Sequence, residues 1–439
     1  MDSCESICQG AERRFSAQRI LGGARSASSA IKVCIYSHDT FGLGHLRRNL
    51  AIAEQLLRSG QRFEVWLLTG SPVIRQSNLP AGLHVQPLPP VVKTGADRYA
   101  SRIPGQIFGL TQGYREALII RLLQEERPDV FLVDHAPAGM NGELLSALAL
   151  IRNEMPETRT VLGLRDILDS PAAVRKAWQE QEIEQLIEHA YDDVLVYGSE
   201  GLFDVVQAYG LGPTVARRTK YCGYIVGRGR WEALASRSGG PLCWDTRRAG
   251  DCPVVLVTAG GGGDGYFLMD AYLRSLERCR SRRFHSVIVT GPLMPAPLRA
   301  QLQAAAERCA DVQFVTFATD LMPSVRAASL VVSMAGYNTS VELLAARKSA
   351  IVVPRSVPRE EQLLRASLLA KLGLVRCLEP QGDLAERLAQ IVPQALCAAP
   401  PEDALWAAVD LRGAERVVEH LAQSAGRRAP LLAAFPGVA

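Results

Sequence analysis

Short apolar runs, separated by amphipathic helical stretches and ending at glycine turns or polar pairs, constrain this chain more than any other feature. In the first half they are Ile31–Ser37 (IKVCIYS), Phe63–Thr69, Asp129–Asp134 (DVFLVD), Thr160–Leu164 and Asp193–Tyr197. In the second half they are Val254–Ala259 (VVLVTA), His285–Thr290, Val312–Thr316, Leu330–Ser333 and Ala350–Val353. The runs are continuously apolar, not alternating, so both faces of each strand are covered, as in a parallel sheet flanked by helices. Two independent sets predict an α/β chain with two doubly wound, Rossmann-like domains facing across a cleft. Ligands of such sheets bind beyond the carboxyl ends of the strands. The functional residues are therefore expected in strand-to-helix loops.

Length and charge support this division. The chain has 439 residues, too many for one ordinary domain, and its 48% hydrophobic and 21% charged residues are globular values. A net charge of +4 disfavours a nucleic-acid partner. No uncharged apolar run approaches the roughly 20 residues needed to span a bilayer. The ten cysteines form neither a CxxC pair nor a zinc spacing, which predicts reduced thiols, a cytoplasmic location and no metal site. The expected organisation is a disordered tail (1–30), a first domain (31–225), a linker (226–250), a second domain (251–400), a closing helix (401–424) and a tail (425–439).

Four loops carry chemistry. The first, DTFGLGHLRR (39–48), follows a strand and opens a helix on which Leu46, Leu50, Ala53, Leu56 and Leu57 share a face. Gly42 and Gly44 begin a GxG, but Arg47 stands where a dinucleotide fingerprint has its third glycine. His45 sits at the helix start, where it is either a general base or a turn cap. The second loop, Ala259–Gly265, holds Gly260, Gly261, Gly262 and Gly263. Its backbone can approach a phosphate closely, and it lacks the GK[ST] of an ATPase. The third, Ser333–Glu342 (SMAGYNTSVE), ends a strand at Gly336 and opens a helix. Thr339 and Glu342 have capping-box spacing. The other reading puts a phosphate on the amides of Asn338 and Thr339, with Glu342 accepting from ribose hydroxyls. The fourth, in VPRSVPREEQLLRASLLAKLG (353–373), leads into a helix near Glu360, with Glu361 and Gln362 in its first turn. These are either ordinary helix-start residues or hydrogen-bonding groups for sugar hydroxyls.

These loops, in this order, resemble the GT-B glycosyltransferases, particularly the branch of the MurG-type N-acetylglucosaminyltransferase. Residues 251–380 look like the family 28 C-terminal domain, through the GGGG loop, SMAGYNTSVE and PREEQLLRA. GLRDILDS (163–170) and AGGGGDG are similar to a bacterial group of predicted glycosyltransferases. The resemblance implies a nucleotide-diphosphate sugar donor, most often UDP-linked, and metal-independent chemistry with no further cofactor. By motif matching, Gly260–Gly263 and Gly336, Tyr337, Asn338 and Thr339 would hold the diphosphate and Glu342 the ribose. Phe317 marks the segment whose backbone reads the base, and Glu361 and Gln362 would contact the donor sugar. His45 matches the cleft histidine of the first domain.

The expected reaction is inverting transfer of a hexose or N-acetylhexosamine to a small-molecule, saccharide or lipid-linked acceptor. His45 is the expected base, and Asp166 the second candidate. Asp134-His135 and Arg165-Asp166, both at strand ends, are expected to line the acceptor side or to cap helices. The GxGHxxR pattern also resembles UDP-sugar hydrolases, which use water as acceptor. A nucleotide-sugar epimerase and a non-catalytic nucleotide-sugar-binding protein are further alternatives. Arg47, Arg48, Arg58, Arg98 and Arg102 would face solvent, an anionic acceptor or anionic lipid, the last implying peripheral contact with the inner membrane face.

Overall fold

A computed structural model describes residues 30–39, 43–74, 79–95, 98–227, 242–279, 283–318 and 320–425. The expected tails at 1–30 and 425–439 lie outside it apart from Ala30 and Ala425. Gly42 and most of the expected linker, 228–241, also lie outside.

The described residues from Ile31 to Ala425 form one compact unit built on two parallel sheets. The first runs β3 (Leu83–Pro87), β2 (Phe63–Thr69), β1 (Ile31–Ser37), β6 (Val130–Asp134), β7 (Arg159–Arg165), β8 (Asp193–Tyr197) and β9 (Thr219–Tyr221). A two-stranded antiparallel hairpin, β4 (Val91–Gly95) and β5 (Arg98–Ser101), stands apart. The second sheet runs β12 (Val312–Val315), β11 (His285–Val289), β10 (Val254–Thr258), β13 (Leu330–Ser333), β14 (Ala350–Val352) and β15 (Arg376–Cys377). All neighbours within the two sheets are parallel; Ile31 is opposite Phe63, and Val254 is opposite His285. β6, β8, β10, β11 and β13 are buried along their whole length. Burial on both faces is why their interiors are rich in Val, Ile and Leu, with polar residues at their ends.

In each sheet the strand order reverses beside the first strand: between β1 and β6, and between β10 and β13. The crevice at such a reversal is where a doubly wound sheet accepts a ligand. Helix α1 (Gly44–Arg58) starts at the first reversal, burying Leu46, Ile52, Ala53 and Leu56. Helix α2 (Tyr266–Arg278) follows the glycine loop of β10. Helix α3 (Tyr337–Ala346) starts at the second reversal, after β13. Helix α4 (Glu361–Lys371) follows β14.

One apolar core joins the halves, containing Leu46 and Ile52 of α1 together with Tyr337 and Val341 of α3. Helix α5 (Gly413–Ser424) returns to the first half. The Gly413 amide donates to the Tyr224 carbonyl at 3.1 Å, and Tyr224 donates to the Asp410 carbonyl at 2.7 Å. A Cβ on Gly413 would lie 2.4 Å from the Gly223 carbonyl oxygen, so the crossing tolerates no side chain.

Residues 242–250, expected to be linker, belong to the second half. Trp244 is buried, Asp245 caps the short helix Thr246–Ala249, and Cys243 donates to Ser324 Oγ at 2.9 Å. Periodicity does not reveal this segment because its packing is carried by one tryptophan and one cap.

The glycine loop is fixed by Gly262, with φ +88° and a hypothetical Cβ 1.9 Å from the Thr290 carbonyl oxygen. Gly262→Ala combines left-handed strain with a backbone clash. It is expected to destabilise the fold by about 3 kcal/mol, read by urea denaturation.

Candidate active site

The two strand-order reversals bring the chemistry-bearing loops together. His45, in the first turn of α1, is partly exposed, and its Nδ1 lies 2.6 Å from Asp134 Oδ2. Asp134 ends β6 and is fully buried. Arg48, one turn beyond His45, donates to Asp134 Oδ1 through Nη2 at 2.5 Å and through Nε at 3.2 Å. Burial pushes the Asp134 carboxyl up, but Arg48 and then His45 outweigh it and hold the group well below the usual carboxylate range. Asp134 is thus an anion, and the short contact assigns the proton on His45 to Nδ1. The 3.1 Å approach of Arg48 Nη2 to the same nitrogen is then proximity without a second bond. Nε2 is left as a proton acceptor, the arrangement of an oriented general base.

Helix α3 faces this dyad. Its cap residue is Gly336, and its first intrahelical bond runs from the Ser340 amide to the Gly336 carbonyl at 2.9 Å. The amides of Tyr337, Asn338 and Thr339 precede that bond and make the positive end of the helix. The glycine loop lies beside them: a Cβ on Gly260 would be 3.2 Å from Thr339 Oγ1. Asn338 Nδ2 donates to the Gly44 carbonyl at 3.0 Å, which seats the start of α3 on the start of α1.

Two expectations are corrected, for Thr339 with Glu342 and for Asp166, and the Tyr337 side chain has a structural place. Thr339 and Glu342 form no capping box, because the cap is Gly336 and the Glu342 carboxylate pairs with Arg47 of α1 instead. The Tyr337 side chain is buried in the join between the halves, which leaves its amide for the expected diphosphate. Its hydroxyl donates to the Tyr197 carbonyl at 2.9 Å and accepts from the Ile225 amide at 3.1 Å, while its ring lies under Arg48 and Arg365. Asp166 has no base geometry. Its Oδ1 accepts from Arg365 Nη2 at 2.6 Å and from the Ile167 amide at 2.8 Å. Its Oδ2 accepts from Arg365 Nε at 2.9 Å and from the Tyr224 hydroxyl at 3.2 Å. Proton transfer to this carboxylate would break a buried bidentate pair, so Asp166 clamps the two halves.

The remaining residues are placed as follows. Glu361 is buried; its Oε1 accepts from Arg355 at 2.7 Å and its Oε2 has no partner. Gln362 Oε1 accepts the Arg355 amide at 3.4 Å. Phe317 is half exposed, two residues beyond β12. Burial raises the Glu342 carboxyl, and Arg47 partly counters this. Arg48, His38 and the partnership of His45 with Asp134 were not legible. Their one signal is placement on the same sheet: His38 directly follows β1, His45 and Arg48 lie in the first turns of the helix after it, and Asp134 ends β6. His38, His45 and His135 cluster, with ring centroids 5.0–6.0 Å apart. Among the described residues no three His, Cys, Asp or Glu side chains are grouped to hold a metal. No described helix is long and apolar enough to cross a membrane.

Residues 254–402 match the model of the glycosyltransferase family 28 C-terminal domain. The second half is such a domain. No curated protein sequence matches the chain. Among solved structures, the chain is similar to MurG of Acinetobacter baumannii (15% identity, 90% of this chain and 100% of that one, TM-score 0.53). It is also similar to Os79 of O. sativa in complex with UDP (16%, 89% and 100%, TM-score 0.60). A third is the UDP-GlcNAc 2-epimerase of Methanocaldococcus jannaschii (13%, 90% and 100%, TM-score 0.57). At these identities the structures share the fold alone, and that fold is GT-B. The family 28 domain on this fold makes glycosyl transfer from a nucleotide sugar the general activity of the chain.

Asp134→Asn removes the counter-charge of buried Arg48 and is expected to cost about 3–5 kcal/mol of stability at pH 7, read by urea denaturation. The sign of the pH dependence follows from the depressed carboxyl. Its contribution is complete above the unfolded-state value of about 4 and is lost as pH falls toward the folded-state value. The difference between wild type and variant should therefore shrink in acid.

Proposed function

We propose that the chain is an inverting, metal-independent glycosyltransferase that moves a hexose or N-acetylhexosamine from a UDP-linked donor to an acceptor hydroxyl or amine. The observation that carries this reading is the His45–Asp134 dyad at 2.6 Å, set opposite the amide-bearing start of α3. In this reaction the acceptor attacks the anomeric carbon from the face opposite the leaving diphosphate. The acceptor–carbon bond forms, the carbon–oxygen bond to the diphosphate breaks, and the acceptor proton passes to His45 Nε2. Asp134 stabilises the imidazolium. The leaving diphosphate takes the Gly261 and Gly263 amides of the glycine loop, those of Gly260 and Gly262 being held by Thr258 Oγ1 and the Ala259 carbonyl, together with the amides of the first turn of α3, which supply fixed positive dipoles where charge develops. Glu361 Oε2 and Gln362 fit hydroxyls of the donor sugar, and Glu342 fits the ribose. The segment around Phe317 fits the base.

His45→Ala should lower turnover roughly 10²–10⁴-fold with UDP affinity unchanged, measured by UDP release and by calorimetry. Unchanged turnover refutes the base. The GxGHxxR likeness supports a second reading, a hydrolase. Rapid release of free sugar from UDP-sugars without acceptor would select it, whereas UDP-sugar binding without turnover would select a binding protein.

The Arg47–Glu342 pair occupies the carboxylate assigned to the ribose, so donor binding must displace Arg47. Arg47→Gln is expected to lower the melting temperature of the free protein and to enlarge the stabilising shift on saturation with UDP. An equal or smaller UDP shift in the variant argues that Glu342 does not take the ribose.

A further inference from the structure

The guanidinium groups between the sheets are matched to carboxylates with one exception. Arg48 pairs with Asp134, Arg365 with Asp166 at 2.6 Å, and Arg355 with both Glu361 and Asp264 at 2.7 Å. Arg165, at the carboxyl end of β7, pairs with no carboxylate among the described residues. Its Nε is buried without a partner, and its one hydrogen bond is a long 3.4 Å contact from Nη2 to the Leu168 carbonyl. On the neighbouring strand end, His135 also has a buried Nδ1 without a partner. Its backbone is held at φ +71°, its amide donating to the Gly163 carbonyl of β7 at 2.7 Å. Arg359, from the loop before α4, approaches only Asp169, at 3.9 Å.

Burial and then mutual repulsion act on these groups. Desolvation, relieved in part by Glu361 and deepened by Arg365, Arg359 and Arg48, brings the Arg165 guanidinium down to about 10. Desolvation, then Arg165, His45, His38 and Arg359, holds the His135 imidazole well below its ordinary value. A buried cation without a counter-charge is costly, and neither residue donates its orphaned nitrogen to the protein. Arg165 is therefore left with no carboxylate in contact among the described residues, and two orphaned nitrogens lie at neighbouring strand ends.

We propose that Arg165, with His135 and Arg359, seats an anionic group of the acceptor, a carboxylate or a phosphate. The position favours the acceptor over the donor diphosphate. Arg165 and His135 stand on β7 and β6 of the first sheet, on the His45 side, whereas the amides for the diphosphate belong to loops of the second sheet. An anion held there places the acceptor beside His45. Such a site is compatible with a near-neutral chain, because one partly buried guanidinium meets the acceptor charge and no basic surface is needed. This inference rests on the transferase reading for the word acceptor, but the anion site itself does not.

The test uses the full chain. UDP is added to saturation to fill the donor subsite, and inorganic phosphate, pyrophosphate and malonate are then titrated by calorimetry. Wild type is expected to bind at least one of them, more weakly at high salt. Arg165→Gln and His135→Asn, the latter compatible with left-handed backbone, should each weaken that binding about tenfold or more with the UDP Kd unchanged. Arg165→Lys should recover part of it. Unchanged UDP binding shows that a variant is folded. Two results overturn the site: a UDP-saturated wild type that binds none of the three anions, or variants that bind them as wild type does. A third arm compares UDP-glucose with UDP-glucuronate. If Arg165→Gln weakens the uronate donor selectively, the anion belongs to the donor and the acceptor assignment falls. Failure of wild type to bind UDP refutes the transferase reading separately, and anion binding by the free protein then still decides the site.

Discussion

The bidentate pair between Asp166 and Arg365 determines how the two halves meet. Asp166 follows β7 of the first sheet, and Arg365 belongs to α4 of the second half. Arg365 also donates Nη1 to the Ala335 carbonyl at 2.8 Å, one residue before the cap of α3. One guanidinium thus fixes the end of β7, helix α4 and the start of α3 in a single frame. Both groups are almost wholly buried, so neither can leave without stranding a charge. The Tyr337 hydroxyl, between the Tyr197 carbonyl and the Ile225 amide, reinforces the same join. Closure in this form relies on polar groups with fixed geometry. That suits a site whose reacting atoms come from opposite sides.

The sheets were legible because a strand covered on both faces has little choice but to be apolar throughout. β1, β2, β8 and β13 are found with the ends the apolar runs mark. The edges were not legible. β3 is partly exposed, β9 has three residues and β15 has two, so neither periodicity nor length distinguishes them from loops. The strand-to-helix position of the turns after β10 and β13 was legible because glycine interrupts the apolar run just before a helical period begins. Thr339 and Glu342 misled for a physical reason. Their spacing satisfies a capping box, but the helix starts at Gly336, and the carboxylate finds a guanidinium 295 positions earlier in the chain.

The two buried aspartates show where sequence reading stops. Asp134 ends β6 and Asp166 directly follows the adjacent β7. Their tasks differ because their partners differ. Asp134 meets Arg48 on one oxygen and His45 on the other, so it carries charge and orients an imidazole that still reaches the cleft. Asp166 spends its oxygens on Arg365, Tyr224 and its own loop, so it carries charge and holds the domains. Partners separated by 86, 89 and 199 positions decide these roles, and no local pattern encodes them.

The same reasoning accounts for how a chain of net charge +4 can serve anionic ligands. Most buried guanidinium groups between the sheets are neutralised by carboxylates and contribute position without net attraction. A diphosphate in this arrangement is served by dipoles: the amides of the glycine loop and of α3 carry no net charge and need no counter-ion when the site is empty. A fixed cation is a different device, because it is costly while empty and repays that cost only when its anion arrives. Arg165 is the one guanidinium between the sheets in that condition among the described residues. In the proposed reaction its unpaired Nε, on the same sheet as the His45–Asp134 dyad, would tie charge recognition to the place where the proton leaves.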